Sequence, residues 1–301
     1  MVAWIFFVLL SELMWAFTSL IDKVMLSKQH IKSPQIFIIF NGLMNVLLIF
    51  MLPFFDFGKL NSIDMTVALS AGIFLTFGIV FYYKAVQCEE ISRVIILWQF
   101  IPIFVLLFSF LLLNDVLTTR HLIGFLFLFV AGLVVSYKKI NGSFKLSKAF
   151  YYMLASTLLI SIYYISSTHI YKVTSFWSAF MWLRLSSFSS VLLLLIPSIR
   201  KQFIETFMNM KKSIKALIIS KQFVDFLAFI VLGLAILNGP IALISALGSA
   251  AAPIFIFALT VATTTYLPNL IKEEINKNIV FIKLAAILLI IAGIVFMNLG
   301  I

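Results

Sequence analysis

The chain has 301 residues, of which 63% are hydrophobic and only 11% charged, where a soluble domain carries roughly 25% charge. A water-soluble fold of this size cannot hide so much apolar side chain, so the composition excludes a soluble enzyme or binding domain and makes lipid the solvent. The net charge of +11 does not point to nucleic acid, because the cations are spread over short links between apolar runs.

A spanning helix needs about 20 mainly apolar residues, and ten such runs follow one another. Their apolar character on nearly every face excludes a β-barrel, whose strands would alternate with period two. Span 1, Ala3–Leu26, has no Lys or Arg before Lys23 and is too long for the apolar core of a signal peptide. Glu12 lies roughly 15 Å into it at about 1.5 Å per residue, near the middle of a hydrocarbon core about 30 Å thick. A central charge costs about 2.5–3.5 kcal/mol to insert, whereas each Leu, Ile, Phe or Val gains about 0.3–0.6 kcal/mol. The charge therefore persists only where it faces protein or water. Intramembrane acids without a local partner mark pathways, so Glu12 is expected to bind a cation or exchange a proton. Trp15, three residues on, shares its face.

Span 2 (34–54) carries Asn41 and Asn45, expected to bond between helices. Lys84, Glu89, Glu90 and Arg93 cluster where span 3 (63–83) meets span 4 (91–113), and read as a solvated rim. In span 4, Trp98 and Gln99 are candidate solute contacts one turn before Pro102, a candidate gating kink. Span 5 (121–137) is apolar. In span 6 (148–171), Tyr163 and Tyr164 are candidate solute contacts. Arg184 lies at mid-depth in span 7 (175–197), to hold an anionic group such as a substrate carboxylate or to pair with a backbone carbonyl. Residues 198–212 are basic and read as an amphipathic surface piece.

Span 8 (213–237) holds Lys221 and Asp225, four apart and so on one face. That spacing favours a structural pair, with the cavity lining as the alternative. Span 9 (240–264) holds Ser245 and Ser249 as candidate contacts and Pro253 as a second gating kink. Its small-residue run 246–253 suggests close backbone approach. Span 10 (278–299) ends the series. A single cysteine, Cys88, excludes an intramolecular disulfide and a multi-cysteine metal site. His30, His121 and His169 match no metal-ligand spacing, and no cofactor or metal is expected.

The chain also repeats itself. Lys23 and Lys172, which end spans 1 and 6, are 149 residues apart; Ala85 and Ala235 are 150 apart. Pro102 and Pro253, each opening Pro-Ile-Phe, are 151 apart, and "VAGLVV" at 130–135 recurs as "IAGIVF" at 291–296. These landmarks predict two five-span units, 1–140 and 146–301. An odd number of crossings turns the second unit upside down, the inverted-repeat design of many secondary transporters. The fold class expected is thus an all-α polytopic membrane protein, ten transmembrane helices as two inverted five-helix repeats around a central cavity.

The ordered series "YYKAV", "EISRVI", Pro-Ile-Phe at Pro102, "NDVLTT" and "VAGLVV" resembles the EamA domain of the drug/metabolite transporter superfamily. So does "ELMWAFTSLIDKVML" in span 1, with Trp15 and Lys23 in place. The second half matches through Ala235, Pro253, Glu273, Glu274 and Gly293. Asn114 and Asp115 stand where the family has Gly-Glu. The resemblance implies a basket of helices with a cavity lined mainly by spans 1, 3, 4, 6, 8 and 9, and with spans 5 and 10 peripheral. It also implies movement of small metabolites, amino acids or drugs.

The function expected is secondary transport, as an exporter, of a small metabolite, amino acid or drug-like solute by alternating access, with proton coupling, and not enzyme catalysis. The alternatives left open are a flippase of lipid or lipid-linked substrates and a membrane-embedded enzyme. The expected partners are a small-molecule solute and membrane lipids, with the chain a monomer or homodimer in a prokaryotic plasma membrane. Sixteen Lys and Arg fall on the side of links 1–2, 3–4, 5–6, 7–8 and 9–10, and three on the other side. The positive-inside rule then puts both termini outside, whereas the resemblance implies both inside.

Overall fold

The structure, a computed structural model, describes residues 3–27, 31, 33–45, 58–113, 118–140, 143–267 and 277–298. In chain order the helices are α1 (Ala3–Ser27), α2 (Pro34–Met44), α3 (Ser62–Cys88), α4 (Ile91–Ile96), α5 (Phe100–Leu113), α6 (Thr119–Ser136), α7 (Lys148–Val173), α8 (Phe176–Ser187), α9 (Pro197–Asn209), α10 (Lys212–Asn238), α11 (Ile241–Tyr266) and α12 (Lys277–Asn298). A 3₁₀ turn, Leu97–Gln99, joins α4 to α5, and a 3₁₀ stretch, Phe188–Leu195, continues α8. Among the described residues eight helices are long and apolar enough to cross a membrane, and Pro34–Met44 and Leu122–Val134 are shorter apolar helices.

The helix ends follow from their flanking residues. Asn61 caps α3 by accepting from the Asp64 N–H at 2.8 Å, and its own Nδ2 donates to Asp64 Oδ2 at 2.8 Å. Pro34 and Pro197 open α2 and α9, where a missing N–H costs nothing. Pro102 explains the break between α4 and α5. It has no N–H for the carbonyl of Trp98 four residues back, and that carbonyl instead accepts the Ser249 hydroxyl of α11 at 3.2 Å.

One expectation is corrected and one element is added. α6 ends at Ser136, a residue short of the span 5 reading, and β1 (Tyr137–Ile140) and β2 (Ser143–Leu146) form a short antiparallel hairpin between α6 and α7. The acids at the junction of α3 and α4 are not a solvated rim. Glu89 is buried, and Glu90 Oε2 accepts from Arg93 Nε at 3.2 Å and meets Lys283 Nζ of α12 at 3.0 Å. The far half of span 2, Asn114, Asp115, Glu273 and Glu274 lie outside the described residues.

The most extensive helix pairings are α3 with α7, α6 with α12, and α1 with α10. Lipid offers no hydrophobic drive between helices, so close packing must come from small residues. A Cβ on Gly293 of α12 would stand 2.9 Å from the Gly124 carbonyl of α6, an approach only glycine permits. Outward, Phe6, Phe77, Phe281 and Leu288 are each more than half exposed, which suits a surface solvated by acyl chains rather than water.

Candidate functional site

The inward faces of α1, α2, α3, α4, α5, α7, α8, α10 and α11 enclose one cavity of about 170 Å³. Among the described residues α6 and α12 contribute nothing to its wall; they pack on each other instead, with Phe127 stacked on Phe296 at 5.6 Å. Glu12, Trp15, Trp98, Tyr163, Tyr164 and Arg184 line the cavity, and so do Lys221, Asp225, Ser245 and Ser249. One expected contact, Gln99, does not. Gln99 is fully buried and turned to α6, where a Cβ on Gly132 would lie 2.6 Å from its Nε2. Neither atom of its amide has a hydrogen-bond partner among the described residues, and nothing in the structure explains that. Pro102 and Pro253 are buried in the helix packing beside the wall, Pro253 in the interior of α11.

At one end, the carboxyl of Glu12 lies on the bare backbone of Gly248, where an added Cβ would come 2.6 Å from its Oε1. This is the close approach expected of the small-residue run in span 9. Beside it an aromatic group forms around Phe229 of α10. Trp15 meets the Phe229 ring edge-on at 5.1 Å and Tyr163 at 6.5 Å, and the Arg184 guanidinium lies over it, Cζ 3.7 Å from the centroid. Arg184 is 5% exposed; its Nη2 donates to Ser187 Oγ at 3.2 Å, while Nε has no hydrogen-bond partner among the described residues. It pairs with a hydroxyl rather than a backbone carbonyl.

At the other end is a charged knot. Lys221 Nζ stands 2.6 Å from Asp225 Oδ2 and 3.1 Å from Asp22 Oδ1, and donates to the Tyr83 hydroxyl at 3.2 Å. The Asp22 contact is an ion pair without hydrogen-bond alignment. The Tyr83 hydroxyl also accepts from Asn41 Nδ2 at 2.9 Å, and Asn41 Oδ1 accepts from Gln222. The knot thus joins α1, α2, α3 and α10. The Lys221–Asp225 pair read from spacing is present, but Asp22 makes it a triad. Asn41 bonds between helices as expected; Asn45 bonds within α2, to the Asn41 carbonyl at 3.4 Å.

Sequence reasoning passed over Asp22, Tyr83, Gln222 and Phe229. A signal for them exists: Glu12, Trp15, Ser19 and Asp22 recur at steps of three and four, one stripe of a helix, and all four line the cavity. Gln222, Asp225, Phe229 and Leu232 repeat the pattern on α10.

Residues 2–137 match the model of the EamA-like transporter family. That match covers rather less than half of the chain, and shows what its first half is similar to. A solved structure described only as "Crystal structure of protein" is similar over 98% of this chain and 96% of its own, with a TM-score of 0.63 at 16% identity; that likeness shows the fold. No curated protein matches the chain. The wall contributed by residues 2–137, α1 to α5, meets α7, α8, α10 and α11 of the second half across the cavity.

Proposed function

We propose that the protein is a proton-coupled secondary transporter, an exporter in a prokaryotic plasma membrane. It carries a small solute with an anionic group through the cavity at the seam of two inverted five-span repeats, residues 1–140 and 146–301. The observation that carries this reading is Arg184. A guanidinium 95% buried in a membrane-spanning helix, with an unbonded Nε on the cavity wall, is costly unless something anionic meets it. Glu12 is the proton-exchanging group, Trp15, Tyr163 and Tyr164 orient the solute, and Ser245 and Ser249 add polar groups to the α11 side of the wall.

Inverted repeats are supported by the packing. Span 1 against span 8 (α1 on α10) and span 6 against span 3 (α7 on α3) are equivalent pairs under the inversion, and both are among the most extensive contacts. Spans 5 and 10 (α6 and α12), an element and its own copy, pair with each other. Ten crossings follow if α2 and α6 also span. Two units that rock against each other about a shared site give alternating access.

The test is a thermal-shift screen of amino acids, nucleosides and cationic drugs on the purified chain, then uptake of the stabilising solute into proteoliposomes. Arg184→Gln is expected to weaken binding of that solute about tenfold or more, the worth of one charged hydrogen bond. A solute bound and carried equally by this variant would remove Arg184 from the site, and exclusive stabilisation by cationic drugs would overturn the anionic-group reading.

A further inference from the structure

Helix α9 divides into three faces. Gln202, Phe203 and Thr206 are half-buried against the protein: the Ser33 hydroxyl at the start of α2 donates to Gln202 Oε1 at 3.5 Å, and Phe203 packs on Phe40 of α2 at 4.9 Å. Ile204, Phe207 and Met208 form a second, apolar face, exposed by 52%, 41% and 70%. Ser198, Lys201, Glu205 and Asn209 form a third, polar face. An apolar face uncovered by protein beside a polar one is the pattern of a helix lying in the plane of a membrane boundary. Chain connectivity agrees. One residue, Ile196, separates α9 from the end of the preceding span, and Met210 and Lys211 separate it from α10, so its 13 residues, about 20 Å long, lie between two crossings.

The charge around this face is one-sided. Residues 197–215 hold five cations, Arg200, Lys201, Lys211, Lys212 and Lys215, against a single acid, Glu205. Lys215 Nζ stands 4.3 Å from the centroid of the Phe207 ring, which sets a cation at the edge of the apolar face. Arg200, Lys201, Lys211 and Lys212 are exposed. We propose that α9 and the lysines that follow it form a binding surface for anionic phospholipids. Ile204, Phe207 and Met208 enter the acyl boundary, and the five cations meet the headgroup phosphates. The occupant is argued from charge: juxtamembrane basic clusters bind anionic headgroups, and neutral headgroups offer no net charge to match five cations. The surface is also mechanically close to the cavity, since Phe40, which Phe203 and Phe207 both contact, directly precedes Asn41 of the charged knot. The inference is independent of any solute.

The test compares the full chain with the variant Arg200→Gln/Lys201→Gln/Lys211→Gln/Lys212→Gln, which alters exposed side chains only. Both are reconstituted in phosphatidylcholine vesicles and in vesicles of phosphatidylcholine with phosphatidylglycerol. Thermal unfolding and retention of fluorescent phosphatidylglycerol relative to phosphatidylcholine are measured. The unaltered chain is expected to unfold at higher temperature with phosphatidylglycerol and to retain it preferentially. The variant is expected to match it in pure phosphatidylcholine and to lose most of the preference, about tenfold or more at the usual weight of a basic residue near a charged surface. Equal responses from the two chains, no response from the unaltered chain, or the same stabilisation from inorganic phosphate in pure phosphatidylcholine would each overturn the proposal.

Discussion

Without the ammonium of Lys221, Asp22 and Asp225 would share a buried gap with no cation between them. Breaking a buried ion pair by removing one partner costs about 3–5 kcal/mol, whereas replacing all members by neutral groups is often harmless. Lys221→Met is therefore expected to lower the unfolding temperature in detergent sharply, and Lys221→Met/Asp22→Asn/Asp225→Asn to recover most of the loss. Equal unfolding temperatures for the single variant and the unaltered chain would mean that the knot bears no load. At Glu12 the expectation concerns coupling: Glu12→Gln should express normally and carry solute with no dependence on the proton gradient, measured as uptake with and without an imposed gradient. Persisting dependence would move the coupling group elsewhere, with Asp22 and Asp225 next in line. The charged members of this site were legible because a charge at mid-span is costly and so has to be explained. Phe229 was not, being one of 33 phenylalanines, and only its place in the stripe of α10 distinguishes it. Gln99 failed in the opposite way: its polarity drew attention, but its direction around the helix axis depends on the 3₁₀ turn that contains it.

Helix α12 offers a cleaner separation of packing from function. Its contact with α6 depends on Gly293, and neither helix lines the cavity among the described residues. Gly293→Leu should force the two apart at about 1–3 kcal/mol, the usual cost of overpacking, seen as a lower unfolding temperature, while solute affinity of the folded fraction stays unchanged. A large loss of affinity with no change in unfolding would contradict the peripheral role of these helices. At this scale the apolar runs foretold most helices, since the bilayer thickness sets their length. The hairpin of β1 and β2 was missed because a helical reading was carried through Tyr137, although Asn141 and Gly142, a favoured hairpin dipeptide, lie between the two strands in sequence. The 3₁₀ stretches at 97–99 and 188–195 leave no mark on hydropathy, which does not register how tightly a helix is wound.

For the molecule as a whole, the cation imbalance predicts an orientation that the native cysteine can report. Cys88 is the only cysteine in the chain; it ends α3 on the cation-rich side and is exposed. The positive-inside rule predicts that a membrane-impermeant maleimide added to intact cells leaves Cys88 unlabelled and labels it after lysis; labelling in intact cells would favour termini in the cytoplasm. The proposed repeat rests at this scale on small or rigid residues, Ala85, Ala235, Pro102 and Pro253, of a kind whose packing roles would survive an inversion of the chain. The triad was not, since it joins Asp22 in one half to Lys221 in the other, and no spacing along the chain encodes that contact.

Alternating access through the shared cavity is tested most directly in a Cys88→Ser background carrying Thr76→Cys, at a half-buried position of the cavity wall on α3. With the protein in membranes of known orientation, the impermeant maleimide is applied from one side and then, in a separate sample, from the other. The account predicts labelling from both sides, with the balance shifted by a transported solute. Labelling from a single side under every condition, or from neither, would contradict it.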